Sequence, residues 1–313
     1  MIRISILFFS LFLFLACSKE KRSDKKGIKM KTFIKSISSK AKGRNADFMI
    51  IPQNGIELVY NEYDAESGID YNYLNAIDGV GIEELFFNSG EVVPDERIET
   101  LKSITSEVKV MVADFVADDN ERDATITKNL NENFICYPRV SNNYDYEYIT
   151  TPIINENTAN INSLADAKNY LYLISYSQYS SKQEVINALC NTNFDVILME
   201  LFFDTDVSFT QSEIAQLKTK ANGGSRKVIS YMNIGAAESY RYYWKDNWKL
   251  HHPRWLKKPY DGYEDEIWVK FWKNDWENII YKEDNSYLDK IIDAGFDGVY
   301  LDNIEAYYFL YFD

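Results

Sequence analysis

A strand pattern that recurs eight times along the chain places the strongest constraint on its fold. Each occurrence is a continuous apolar run that ends on polar side chains, which is typical of a parallel strand covered on both faces. The eight runs are 46–55, 77–87, 108–115, 133–140, 170–179, 194–201, 227–235 and 296–302. Most are separated by helical patterns, such as ERIETLKSIT, SKQEVINALC, QSEIAQLKTKA and SYLDKIIDAG. This alternation predicts an α/β fold, a (β/α)8 TIM barrel whose active site lies at the carboxyl ends of the strands.

One further apolar stretch, IWVKFW at 267–272, is left out of the count. We expect it to belong to a long loop excursion after residue 235 rather than to the barrel. All six tryptophans fall in the same excursion, between 244 and 276. They are interpreted either as platforms for sugar rings or as a small aromatic core beneath the loop.

The two ends of the domain complement each other. The run at 296–302 has no helix of normal length after it, whereas the helix predicted at 30–42 has no strand before it. A barrel circularly permuted between a strand and its own helix explains both, because domain termini often lie close together. It requires the strand at 296–302 to pair with that at 48–51, with the helix packed outside them. The alternative is a truncated chain that begins with an unrelated helix.

The first 17 residues are typical of a bacterial lipoprotein signal peptide. Arg3 precedes an apolar run from Ile4 to Ala16, and Cys17 is the predicted lipidation site. We expect a flexible tether at 18–29, a barrel at 30–313, and a lipid-anchored protein of the cell envelope that faces the periplasm or the outside. An ordinary signal peptide or an uncleaved anchor remains the alternative.

The net charge of -14 argues against nucleic acid or an anionic membrane surface as a partner and favours a neutral or cationic ligand. Cys136 and Cys190 lack metal-site spacing and are predicted to be buried thiols rather than a disulfide. The only histidines, His251 and His252, are adjacent. We therefore expect no metal and no other cofactor.

The candidate site centres on GFDGVYLDNIEAY at 295–307, where a strand runs into Asp302, Asn303 and Glu305. A strand that ends on acids suggests a site, although a polar loop that caps the next helix is an equally good interpretation. Polar groups also end or follow other strands. They are Gln53, Asn54, Glu83, Asp114 and Glu200, and Tyr231 lies within the run 227–235.

Four segments resemble a known family. They are GFDGVYLDNIEAY, KVISYMNIGAAESYRYYWKDNW at 227–248, FMIIPQNGIEL at 48–58 and GVGIEELFF at 79–87. Together they resemble the endo-α-1,4-polygalactosaminidases of glycoside hydrolase family 114. In that family the last two segments follow the LDN strand, whereas here they precede it, and this difference in order supports the permutation.

The resemblance implies a glycosidase in which Asp302 is the nucleophile and Glu83 the general acid/base. One ionised and one protonated carboxyl are what glycosidic cleavage requires. The candidates for substrate binding are Gln53, Asn54, Asp114, Glu200, Tyr231, Glu238, Arg241 and Asn303. Glu238 and Arg241 fit a buried salt bridge equally well, and Glu200 stands where the family pattern has Asp.

Three functions follow for the whole protein. The first is a lipid-anchored hydrolase that cleaves α-linked, galactosamine-type polysaccharide. The second is a non-catalytic carbohydrate-binding or adhesive lipoprotein on the same barrel. The third is a structural envelope protein whose acids coordinate calcium. Retention of both Asp302 and Glu83 at strand ends favours the first.

Overall fold

A computed structural model describes the backbone of residues 3–312 apart from 89–90, 93–94 and 141–143, and the side chains of the same residues apart from 3–21 and 91–92. The helices are α1 (Arg3–Arg44), α2 (Tyr71–Leu74), α3 (Arg97–Ile104), α4 (Asp119–Asn131), α5 (Lys182–Cys190), α6 (Gln211–Leu217), α7 (Asn274–Glu277), α8 (Tyr287–Asp293) and α9 (Ala306–Phe309). The strands are β1 (Met49–Pro52), β2 (Gly79–Asn88), β3 (Glu91–Val92), β4 (Lys109–Phe115), β5 (Ile135–Arg139), β6 (Tyr170–Leu173), β7 (Val196–Met199), β8 (Phe202–Asp204), β9 (Val207–Ser208), β10 (Lys227–Asn233), β11 (Ala236–Glu238), β12 (Leu256–Tyr260), β13 (Tyr263–Val269) and β14 (Gly298–Asp302).

Eight of these strands coincide with the eight apolar runs of the sequence. Five form a parallel sheet in the order β1-β14-β10-β7-β6. The other three lie in the order β2-β4-β5, also parallel, with the short β3 antiparallel at the edge. A parallel bridge between Gln53 and Gly81 joins the two sheets beside β1. On the far side, the Tyr137 ring of β5 lies 6.0 Å from that of Tyr170 on β6.

The pairing required by the permutation is present, because Met49 lies opposite Gly298 and Pro52 opposite Leu301 in parallel register. Helix α1 packs outside this pair of strands, where Lys40 Nζ reaches Asp289 of α8 at 2.7 Å. Its apolar side chains from Phe33 to Ala41 are buried. Both predictions about this seam are confirmed.

The excursion after β10 is also confirmed as a separate layer. Residues 267–269 lie in β13, which pairs antiparallel with β11 and β12 and stands outside the two parallel sheets. Its tryptophans form an aromatic core, in which Trp248 contacts Trp255 edge-on at 5.0 Å and Trp255 contacts Trp276 at 5.3 Å. Trp255, Trp268 and Trp276 are buried, so the interpretation as a core is correct for them.

The predicted tether at 18–29 differs from the structure, because α1 is continuous through it. Ser23 is buried and donates its hydroxyl to the Tyr307 carbonyl at 3.1 Å. Gly27 lies so close to the Tyr63 ring that a Cβ there would approach it to 2.8 Å. These contacts hold residues 22–29 on the domain, which local composition did not reveal. The Cys17 side chain lies outside the described side chains.

Within the described residues, none of the helices combines the length and apolar character that crossing a membrane requires. Cys136 and Cys190 are both free thiols, as predicted, although only Cys136 is fully buried.

Candidate active site

The carboxyl ends of the strands surround a cavity of about 940 Å³. Asp302 ends β14, and Glu83 lies in β2, which is separated from β14 in the strand order by β1 alone. Among the described residues, eleven carboxylates and two arginines line this cavity, which we call the acidic cavity. The acids are Glu83, Glu84, Asp145, Glu200, Asp204, Glu238, Glu264, Asp265, Glu266, Asp302 and Glu305. The arginines are Arg97 and Arg241.

Glu83 is aimed into the cavity by an irregular strand end. The regular pairing of β2 with β4 stops after Glu83, and Glu84 adopts a left-handed backbone with φ of 53°. Such a conformation costs free energy in a residue other than glycine and persists only where neighbours hold it. The Arg97 guanidinium donates to the Glu84 carbonyl at 2.9 Å, and the Asn54 side chain accepts from the Glu83 amide at 3.1 Å.

Asp114 stabilises this irregular part of β2 by hydrogen bonds to its backbone. It is fully buried, and its Oδ1 accepts from the amides of Leu85 and Phe86 at 2.8 and 3.0 Å. Its other oxygen is bonded to Thr125 and Asn129 of α4. Asp114, which the sequence suggested as a substrate-binding residue, faces the helix layer and does not line the cavity.

Asp302 is held by two donors. The Tyr231 hydroxyl donates to Oδ2 at 2.5 Å, and the Asn303 amide donates to Oδ1 at 2.6 Å. Burial raises the pKa of Asp302 to about 6, although both hydrogen bonds oppose the shift. Asn303 itself accepts from the Tyr260 hydroxyl at 3.2 Å.

Glu83 has one described side-chain donor, the hydroxyl of Tyr146. Burial and the nearby charge of Asp302 raise the pKa of Glu83 to about 7, while the Tyr146 hydrogen bond lowers it. The Tyr146 ring stacks on Tyr172 with centroids 3.7 Å apart, and the Tyr172 hydroxyl donates to Gln53 at 3.3 Å. The more acidic group of the pair is therefore Asp302.

A second group of charged side chains lines another part of the cavity. Arg241 bonds Glu238 through Nε at 2.7 Å and Glu200 through Nη2 at 2.8 Å, and all three residues are buried. The Tyr240 hydroxyl adds a hydrogen bond to Glu238 at 2.6 Å. Of the two interpretations of Glu238 and Arg241, the structure shows the salt bridge, while all three charged groups still line the cavity.

Glu266 and Glu305 are further acids of the cavity to which the sequence assigned no role, although Glu305 lies in the segment on which the predicted site centres. Burial, then Glu238 and Asp302, raise the pKa of Glu266 to about 8. Burial is the largest cause that raises the pKa of Glu305 to about 8, and the nearby charge of Glu57 is the next. Glu305 could have been found from its place in the LDNIEAY segment. Glu266 and Tyr146 lie in stretches without a regular pattern and carry no such signal.

The remaining predicted site residues lie at this end of the fold as well. Gln53, Asn54, Tyr231 and Asn303 all line the cavity. No tryptophan does so in the part of the chain that the structure describes, so the interpretation of these rings as platforms for this cavity is wrong. The described residues also contain no group of three or more His, Cys, Asp or Glu side chains arranged to hold a metal ion.

An α/β protein with two carboxyls of raised and unequal pKa in an open acidic cavity has the equipment of a glycoside hydrolase. Comparison with known proteins reaches the same class. The profile of glycoside-hydrolase family GH114 matches residues 154–310, half of the chain, and the chain belongs to this family.

Three curated relatives are uncharacterised proteins. That of Methanocaldococcus jannaschii is 33% identical over 154 residues, 49% of this chain and 41% of the relative. That of Thermotoga maritima is 43% identical over 79 residues, 25% of this chain and 23% of the relative. That of Deinococcus radiodurans is 34% identical over 125 residues, 40% of this chain and 38% of the relative. The matches thus span less than half the length of each relative.

Proposed function

We propose that this protein hydrolyses α-linked, galactosamine-type polysaccharide, with Asp302 and Glu83 as the reacting carboxyls. The observation that carries the proposal is the pair itself. Asp302 ends β14, Glu83 is the last residue of β2 in regular register with β4, and both line one cavity with pKa values of about 6 and about 7. Protonated Glu83 gives its proton to the glycosidic oxygen as the bond to the anomeric carbon breaks. Ionised Asp302 stabilises the positive charge that develops on the sugar. A water molecule then adds to the anomeric carbon and gives a proton back to the Glu83 carboxylate, which completes the hydrolysis.

The charge of the cavity supports an amino sugar as the substrate. Eleven carboxylates face two arginines, and one of these, Arg241, is already engaged by Glu200 and Glu238. A cavity of one sign concentrates ligands of the opposite sign. A polymer with free amino groups is therefore favoured over its N-acetylated form, which is neutral.

The test is incubation of the protein with de-N-acetylated and N-acetylated galactosamine polymers, followed by analysis of released oligosaccharides. We expect release from the first and little from the second. Binding of either polymer without any release would overturn the hydrolase and leave the non-catalytic carbohydrate-binding lipoprotein as the function.

We further propose that the fold is a closed, circularly permuted (β/α)8 barrel. The bridge beside β1 and the approach of Tyr137 to Tyr170 support closure at the two junctions between the sheets. The family match supports permutation, since it covers β6 to β14 and leaves out β1 to β5. A rearranged sequence with 22–153 placed after 154–312 should match the family profile beyond β14. A match that still stopped at β14 would contradict the permutation.

The leader remains a proposal on sequence grounds. The apolar run 4–16 followed by Cys17 supports a lipid anchor in the cell envelope. Mass spectrometry of the mature N-terminus should find an acylated Cys17, and Cys17→Ser should move the protein from the membrane fraction to the soluble fraction. An unmodified mature N-terminus elsewhere would refute the anchor.

A further inference from the structure

One part of the surface is positively charged, whereas the molecule as a whole is negatively charged. The whole chain carries a net charge of -14, yet six cationic side chains lie near one another, and one of them, Lys26, lies over the ring of Trp272. We call this surface the basic face. It consists of Lys26, Lys29, Arg254, Lys257, Lys270 and Lys273.

Three separate stretches of the chain bring these cations together. The Lys26 ammonium on α1 lies 3.7 Å from the centroid of the Trp272 ring, which fixes α1 against residues 270–273. The Lys270 amide donates to the Trp255 carbonyl at 2.8 Å, and this contact brings the stretch that holds Arg254 and Lys257 alongside. The basic face therefore depends on tertiary structure and is invisible as a charge run.

The positive charge is not balanced by ion pairs. Within the described residues, none of the six cations forms a salt bridge with a carboxylate. Four of them are exposed: Lys29, Arg254, Lys257 and Lys273. Burial and three other lysines of the face lower the pKa of Lys26, and burial with Lys257, Lys273 and Arg254 lowers that of Lys270. An anionic partner would relieve this repulsion.

The position of the face indicates which anion it meets. Helix α1 runs from Lys26 back to Cys17 over nine residues, about 14 Å of helix, and continues into the apolar run 4–16. The Ser23 hydrogen bond to Tyr307 fixes this part of α1 on the domain. Ile28, beside Lys29, is 55% exposed. In the anchored protein, the acyl chains proposed on Cys17 and two lysines of the basic face, Lys26 and Lys29, belong to one helix and are suited to one lipid surface.

We propose that the basic face binds the headgroups of anionic phospholipids and thereby sets the orientation of the domain on the bilayer. The identification of the partner as a bilayer depends on the proposed lipid anchor. The positive charge of the basic face does not depend on that anchor. Basic residues near an anionic bilayer each contribute about 1 kcal/mol at physiological salt. Four exposed cations are then expected to raise partitioning onto anionic vesicles by at least about 10-fold over neutral vesicles.

The experiment measures co-sedimentation of the full chain with vesicles of phosphatidylcholine alone or of phosphatidylcholine mixed equally with phosphatidylglycerol. The apolar leader contributes to both, so the ratio of the two partition coefficients isolates the basic face. We expect a ratio of at least about 10 that falls as salt is raised. The assay involves no hydrolysis, so its result is independent of the proposed enzymatic activity.

The test variant neutralises the exposed cations of the face, with Lys29→Gln, Arg254→Gln, Lys257→Gln and Lys273→Gln. A control variant removes the same charge elsewhere, with Lys102→Gln, Lys128→Gln, Lys168→Gln and Lys290→Gln. The test variant should lose the preference for anionic vesicles, and the control should keep it. Equal loss in both variants, or no preference in the unmodified protein, would overturn the proposal. Face-dependent binding of a soluble polyanion, heparin, without binding of anionic vesicles would overturn it in favour of an acidic polymer.

Discussion

The acidic cavity contains two groups of carboxylates that differ in how their charge is balanced. Glu200 and Glu238 share the guanidinium of Arg241, which bonds them at 2.8 and 2.7 Å. Glu83 and Asp302 instead receive hydrogen bonds from tyrosine hydroxyls and a backbone amide. A hydroxyl stabilises a carboxylate less than a buried cation does, because it brings no net charge.

This difference separates structure from chemistry within one cavity. The first group, with its cation, is a fixed ion-pair network that shapes the wall. Among the described contacts, no salt bridge joins a cation to the second group, although the charge of Arg139 acts on Glu83 from a distance. Burial raises the pKa of Glu83 to about 7 and that of Asp302 to about 6. Between about pH 6 and about pH 7, Glu83 is mostly protonated and Asp302 is mostly ionised, which is the state that glycosidic cleavage needs.

The largest expected effect is loss of activity on removal of either carboxyl of the proposed reacting pair. Asp302→Asn and Glu83→Gln should each lower kcat by about 1000-fold or more, since each removes a group that acts in the transition state. The measurement is the initial rate of oligosaccharide release from de-N-acetylated polymer. Asp114→Asn is a separate comparison, because its effect should appear in stability as the strand end of β2 loosens. Full activity in Asp302→Asn would show that the pair is assigned wrongly.

Breaking the ion-pair network should act mainly on stability. Arg241→Met leaves two buried carboxylates without their cation and should destabilise the protein by about 3 to 5 kcal/mol, measured by chemical denaturation. The matched control is Lys182→Met, which removes a cation from a half-exposed pair with Glu213 at 3.0 Å. Such a surface pair contributes at most about 1 kcal/mol. Similar losses in both variants would mean that the two groups of carboxylates are not distinguished by their cation.

The sequence was sufficient to predict the eight parallel strands and the positions of Asp302 and Glu83. A buried strand is a local pattern, and the residue that ends it is read directly from the chain. Asp114 also follows an apolar run, but its side chain points to α4. A position at a strand end does not reveal which face of the sheet the side chain takes when the strand is buried on both faces.

Tyr146 lines the cavity but could not be predicted from the sequence. It donates to Glu83 from the stretch between β5 and β6, where no periodicity marks it. The basic face was hidden for a related reason, since its members come from α1 and from two stretches of the excursion. The net charge of -14 argued against an anionic surface because it averages over the whole chain.

A smaller effect concerns the pH dependence of stability. The pKa of Glu266 is raised to about 8 in the folded protein, so the folded state holds this proton more tightly than the unfolded chain. The cost of ionising Glu266 is absent below its unfolded pKa of about 4.5 and is complete above about 8. Glu266→Gln should therefore leave stability unchanged at pH 4 and increase it at pH 9. The full shift corresponds to about 5 kcal/mol, and we expect about 2 kcal/mol because Glu266 is partly exposed and water screens its charge.

Thermal unfolding across this pH range tests the Glu266 prediction. The exposed Glu264 of the same strand supplies a control of equal charge, and Glu264→Gln should change stability little at either pH. A Glu266→Gln variant that is less stable at pH 9 would show that this acid is balanced by a cation, as Glu200 and Glu238 are.

The smallest and most specific effect separates the two tyrosines that hold the reacting pair. The Tyr146 hydroxyl lowers the pKa of Glu83, and the Tyr231 hydroxyl lowers that of Asp302. In the unmodified protein, kcat/KM should be highest between about pH 6 and about pH 7, with Asp302 ionised and Glu83 protonated. Tyr146→Phe should move the alkaline limb upward, and Tyr231→Phe the acidic limb upward, each by about half to one pH unit.

The control for this pair is Tyr144→Phe. The Tyr144 hydroxyl donates to Glu84 at 2.7 Å and not to either reacting carboxyl, so its removal should leave both limbs in place. If Tyr146→Phe shifted the acidic limb instead, Glu83 would be the ionised member of the pair and the two roles would be exchanged. Hydroxyl donors would still distinguish the reacting pair from the network around Arg241, but the direction of proton transfer would be reversed.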